Sequence, residues 1–161
     1  MGPTVAAWVS RHASRRESLE VTDLDLRDAC SGNADLATSL TPVDAVVVVT
    51  PEYNHSFPGP LKGAIDSVRE EWHAMPVGFV SYGGISGGLR AVEALRCVFA
   101  ELHTVTVRET VSFAMAWDAF DGDGEPSPSA GPAAAADRLL DQLEWWAGAV
   151  RAGRVVNAYP G

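Results

Sequence analysis

Cysteine, positive charge and long apolar runs are all scarce in this sequence, and each scarcity removes a class of protein. Cys30 and Cys97 are the only cysteines. They form no Cys-x-x-Cys pair and have no histidine at metal-ligand spacing, so they read as buried or idle thiols rather than as a disulfide framework or a zinc site. Two such thiols suit a reducing cytoplasm. Lysine and arginine number 12 against 21 aspartate and glutamate, a formal net charge of -9, which repels nucleic-acid backbones and anionic lipid surfaces at long range. No apolar run is long enough to cross a bilayer, and no basic segment leads into an apolar core at the front, so a cytoplasmic location is expected.

What the sequence does have is apolar residues in short, regular runs. With 161 residues and 47% hydrophobic content, residues 1–161 are expected to form one domain with a sizeable core. Val5, Trp8, Val9 and His12 share a face at three- and four-residue spacing, which predicts a helix over about 4–16. LEVTDLDL alternates imperfectly and predicts a strand; the polar SGNADLATSLTP that follows predicts a connection with at most one helical turn. DAVVVV, residues 44–49, suits a strand buried on both sides, as central parallel strands are.

The alternation continues to the end. A helix is expected over 60–71, with Leu61, Ala64, Ile65 and Val68 on one stripe and Pro60 in its first turn. MPVGFVSY reads as a strand, and Leu89, Val92, Leu95, Phe99 and Leu102 as the seam of another helix. A strand begins near Val105, a long Asp-, Gly-, Pro- and Ser-rich loop spans 117–132, and a final helix over 132–152 turns Leu139, Leu143, Trp146 and Val150 inward. The tail GRVVNAYPG is left unassigned. Strands alternating with helices predict an α/β domain with a parallel sheet.

In such sheets ligands bind beyond the carboxyl ends of the strands, where loops diverge and helix N-termini point outward. Two loops are marked there. In TPEYNHS, Pro51 and later Pro58 stiffen the chain while Tyr53 offers a flat face and Asn54 an amide; in SYGGISGG, Gly83, Gly84, Gly87 and Gly88 allow close approach of a planar ring. Taken singly, the glycines are turn residues, Tyr53 a packing aromatic and Asn54 a turn residue. Taken together, on adjacent strand ends, they suit a flat heterocycle.

Other candidates are weaker. Lys62 reads as a solvated cation, and His55 has no acid partner for a triad. His12, His73 and His103 read as surface or edge histidines. DAFDGDGE superficially looks like a calcium loop, but the register that aligns Asp121, Asp123 and Gly124 puts Ala119 and Ala130 where carboxylates are required.

TPEYNHSFPGPLKGAID followed by SYGGISGGLRAVEALR resembles the NADPH-dependent FMN reductase family, the flavodoxin-like quinone, chromate and azo-dye reductases. The likeness runs from Gly2 to about Val150. It implies a flavodoxin-like three-layer sandwich with strand order 2-1-3-4-5, FMN at the strand carboxyl ends, and NADPH or NADH as co-substrate. It further implies a small-molecule electron acceptor and a homodimer or homotetramer with flavin sites near subunit contacts. Carried over by position, Pro51, Glu52, Tyr53 and Asn54 border the isoalloxazine ring, and Ser81, Tyr82, Gly83 and Gly84 line the opposite side. No side chain is assigned a catalytic acid–base role, because hydride passes from nicotinamide through FMN to the acceptor.

The resemblance departs at the front. Family members begin with a buried strand and a loop like G-S-x-R-x-x-S that holds the FMN phosphate, whereas this sequence starts at the following helix. The fold expectation is therefore a parallel sheet with the first strand absent, its two neighbours left with unpaired backbone groups at about 1–3 kcal/mol each. The motif block points to an FMN-containing NAD(P)H oxidoreductase, the departure at the front to a flavodoxin-like subunit that no longer binds FMN, and a third reading is an electron carrier inert to nicotinamide.

Overall fold

Three apolar runs become the strands β1 (Val46–Pro51), β2 (Pro76–Tyr82) and β3 (Val105–Phe113), paired in parallel in the order β1-β2-β3. The computed structural model describes residues 1–30 and 35–161. Residues 31–34, within the expected polar connection, lie outside the described residues, as does the Cys30 side chain. Around the sheet run α1 (Gly2–Ala13), α2 (Leu26–Cys30), α3 (Leu36–Leu40), α4 (Gly59–Asp66), α5 (Leu89–Glu101) and α6 (Ala130–Val156).

The alternation of β2 sets the layers. Val77 and Phe79 turn to a cluster with Ile65 of α4 and Leu95 and Phe99 of α5. Val80 turns the other way, to Val5 and Trp8 of α1 and Leu139 of α6. On that second side a Cβ on Gly78 would stand 2.7 Å from the Leu139 Cδ1, so α6 packs against bare strand backbone. Helices therefore cover both faces of a parallel sheet, the expected three-layer α/β sandwich.

One strand expectation fails. Residues 19–25 join no sheet, with Val21 36% and Leu24 38% exposed, and Leu26 opens α2 and packs into the first cluster. A strand exists only by hydrogen bonding to a neighbour, and β1 is an edge of the sheet, with β2 as its pairing partner among the described residues. LEVTDLDL pairs with no strand, although the outer edge of β1 is open. The valine strand is correspondingly less enclosed than four valines suggest: Val46, Val47 and Val49 are only half-buried. Among the described residues the outer edges of β1 and β3, rather than two facing rows, are left without a ladder.

Smaller differences follow from side-chain partners. Leu89 is 48% exposed and leaves the α5 seam, which runs through Ala91, Val92, Leu95 and Phe99. α6 starts earlier and runs to Val156, taking in part of the unassigned tail, and Trp146 is partly exposed instead of inward. α4 ends at Asp66, short of the expected 71, and is followed by a 3-10 turn whose Trp72 Nε1 donates to the Ile65 carbonyl at 3.1 Å. His12 is no surface histidine: it is buried between α1 and α6, its Nε2 2.8 Å from Asp137 Oδ1. Its neighbour Arg16 bonds Asp141 and Glu144 at 2.8 and 2.7 Å, fixing α1 onto α6. His73 and His103 stack at 5.0 Å between ring centroids, at the edge.

Candidate active site

The first loop is a tight hairpin. Tyr53 and Ser56 exchange two backbone hydrogen bonds, 2.9 and 3.0 Å, across Asn54 and His55. Both middle residues have positive φ, 50° and 69°, the two-residue turn whose twist matches flanking strands. Asn54 holds the left-handed conformation at lower cost than most side chains, because its short amide bonds locally. Its turn role is thus structural, and it leaves Tyr53 62% exposed. The amides of Asn54 and His55 have no hydrogen-bond partner among the described residues.

The second loop is saturated with internal bonds. Gly83 donates to the Phe113 carbonyl at 3.1 Å, and the Gly83 and Gly84 carbonyls accept from Ala116 and Met115 at 3.1 and 3.0 Å. Ser81 is fully buried, and its Oγ donates to the Gly87 carbonyl at 2.8 Å, which Ser112 Oγ also reaches at 2.9 Å. Gly88, the N-cap of α5, has φ 86°. A Cβ there would stand 2.7 Å from the Ser81 Cβ and 2.9 Å from the Tyr82 nitrogen, so only glycine fits.

Glu52 ties the two loops together. Its amide donates to the Tyr82 carbonyl at 3.0 Å. Its carboxylate is nearly enclosed, 7% exposed, and accepts from Ser86 Oγ at 2.6 Å, the Arg90 amide at 3.2 Å and Arg90 Nε at 2.6 Å. Burial pushes this carboxyl up, but the bonds from Ser86 and Arg90 and the Arg90 charge outweigh burial and hold it below the usual carboxylate range. Arg90 also donates to His55 Nε2 at 2.7 Å, so the same guanidinium braces the hairpin.

The expected site residues therefore meet at one end of the sheet. Pro51 and Tyr82 are register partners at the strand ends, and a Cβ on Gly83 would stand 3.6 Å from the Glu52 Cβ. Tyr82 is half-buried, its hydroxyl 2.7 Å from where a Cβ on Gly2 would stand, so the N-terminus of α1 reaches the same end. Burial raises the Tyr82 phenol, and the nearby Tyr53 adds to the shift. The roles divide in a way sequence did not show: the Glu52 carboxylate and Ser81 hydroxyl are turned into the loops they brace, whereas Tyr53 and Asn54 face solvent. Lys62 bonds Asp66 one helical turn on.

Trp117 was missed. It stands on the 3-10 turn Ala116–Asp118 after β3, with its Cη2 3.8 Å from the Cβ position of Gly84 and 59% of the residue exposed. An aromatic four residues after a strand end was the available signal, masked by the surrounding loop composition. A cavity of about 540 Å³ opens elsewhere, between α5 and β3, beside Leu89, Arg96, Thr106 and Arg108. There Arg96 donates to the Val107 and Arg108 carbonyls and seals a sheet edge, so the shallow face between the loops remains the candidate site.

The model of the family described as NADPH-dependent FMN reductase matches residues 1–118. The chain belongs to that family. It is a family of oxidoreductases with FMN as cofactor and NAD(P)H as reductant. An NAD(P)H-dependent FMN reductase of Schizosaccharomyces pombe is 30% identical over 105 residues, covering 53% of this chain and 52% of the relative. A quinone reductase of Escherichia coli is 37% identical over 79 residues, 46% and 42% of the two chains. The chain thus spans about half the length of these curated relatives. Among solved structures, the flavoenzyme NAD(P)H:(acceptor) oxidoreductase FerB of Paracoccus denitrificans matches with a TM-score of 0.70 at 22% identity, covering 89% of this chain and 90% of that one, a likeness of fold. Among the described residues no helix is long and apolar enough to cross a membrane.

Proposed function

We propose that residues 1–161 form one flavodoxin-like domain that holds FMN between the hairpin after β1 and the glycine loop after β2. In this reading it oxidises NAD(P)H to reduce small acceptors such as quinones. The observation that carries this reading is the contact of the two loops, Glu52 against Gly83, with Tyr53 exposed beside them. The residues present fit the group. The exposed Tyr53 ring and the unpartnered amides of Asn54 and His55 suit a planar heterocycle with a polar edge. The N-terminus of α1, with Gly2 beside Tyr82 and Thr4 in its first turn, supplies the end at which a phosphate is favoured.

Residues 51–54 and 81–84 would hold FMN, which would supply the hydride and electron-transfer chemistry between NAD(P)H and the acceptor. The chain's own residues position rather than titrate. Glu52 and Arg90 lock the hairpin against the glycine loop, Gly88 lets α5 start directly under Ser81, and the bonds from Met115 and Ala116 fix the glycine carbonyls. Rigidity of this kind is what aligns a cofactor ring without reorganisation on binding.

Purification with added FMN, followed by absorbance in the flavin bands and NADPH oxidation with a quinone, tests the reading. Bound flavin with NADPH turnover is expected. Protein that takes up no flavin and oxidises no NADPH would instead be the non-catalytic flavodoxin-like subunit, and flavin inert to NADPH would mark an electron carrier.

A further inference from the structure

We propose that Trp117 is the residue that favours flat aromatic acceptors over compact ionic ones, an inference that rests on the site being a flavin site. The loops around the site carry exposed apolar side chains: Tyr53 is 62% exposed, Ile85 90%, Met115 45% and Trp117 59%. Exposed apolar side chains gathered on one face mark a place where something docks. They stand on the three loops that follow the three strands.

The turn that carries Trp117 is fixed by backbone hydrogen bonds. Met115 adopts φ 46° and ψ 50°, a left-handed conformation that a non-glycine side chain disfavours. Its amide bonds the Gly84 carbonyl and the next amide bonds the Gly83 carbonyl, so the strained turn is fixed to the glycine loop. The result brings the indole Cη2 to 3.8 Å from the Cβ position of Gly84 and leaves 59% of the residue exposed. The other exposed tryptophans differ: Trp145 and Trp146 lie on α6 and pack edge to face at 5.0 Å. Trp117 has no aromatic partner and no side-chain hydrogen bond among the described residues. A flat ring gains stacking on such a face, whereas a compact ion gains none and meets a net charge of -9 if anionic.

The test compares FMN-supplemented wild type, W117F and W117A, using NADPH with 1,4-naphthoquinone or ferricyanide as acceptor. Each turnover moves two electrons, from NADPH to one quinone, which takes up two protons, or to two ferricyanide ions. In W117A the naphthoquinone KM is expected to rise about 5-fold with little change in kcat. The ratio of naphthoquinone to ferricyanide kcat/KM should fall by the same factor, and W117F should restore most of it. Without turnover, naphthoquinone titrated into the protein should quench a saturable part of the tryptophan fluorescence that W117F lacks. An unchanged KM in W117A, or equal losses on both acceptors, overturns the assignment while leaving the flavin site standing if flavin is bound. A wild type that binds no flavin overturns both.

Discussion

The hairpin after β1 and the glycine loop after β2 sit side by side and achieve rigidity in opposite ways. The hairpin bends through two non-glycine residues at positive φ and leaves its tip in solvent, braced from outside by the Arg90 guanidinium. The glycine loop bends through Gly87 and Gly88, where it is buried and bonded from within by Ser81 and Ser112, while Ile85 at its tip stays exposed. The difference shows a division of labour. The hairpin keeps the side chains of its tip outside, whereas the buried end of the glycine loop has none.

That contrast is open to experiment, most severely at Gly88. G88A places a methyl against Ser81 and forces left-handed alanine, and should lower unfolding stability by about 3 kcal/mol in urea denaturation. A loss below about 1 kcal/mol would mean that the loop is looser than its bonds imply. The strut between the loops comes next. E52Q removes the charge that Ser86 and Arg90 bind, with an expected loss of about 1–3 kcal/mol.

The loss should depend on pH. Because the folded carboxyl lies below its unfolded value, its contribution is complete above about pH 4.3 and disappears as pH falls through the lower folded value. Wild type minus E52Q should therefore stay constant from neutral pH down to about 5 and shrink in stronger acid. A difference that grows on acidification would give the opposite sign. The smallest effect belongs to the hairpin tip: N54A should cost about 1 kcal/mol and N54G should be neutral or slightly stabilising, since only the left-handed backbone is at stake.

Local periodicity made most of the frame legible. The valine run, MPVGFVSY and the stretch from Val105 became the three strands, and the Leu61–Ile65 and Val92–Phe99 stripes became buried helix faces. Residues 19–25 show where such reasoning stops, because alternation says nothing about whether a segment pairs with a neighbouring strand. The site was legible as two neighbouring loops but not as a mechanism of rigidity. Glu52 meets Arg90 across 38 positions, and Ser81 meets Gly87 through a buried hydroxyl, pairings that carry no local pattern. Trp117 lay in a stretch whose Asp, Gly and Pro content pointed only to a loop.

The most direct measurement is a titration of flavin fluorescence with the purified protein, repeated with E52Q. Capture of the isoalloxazine between the loops should quench the emission saturably in wild type and weaken in E52Q. Emission that stays at the level of free FMN throughout would show that no flavin lies between Tyr53 and Gly83.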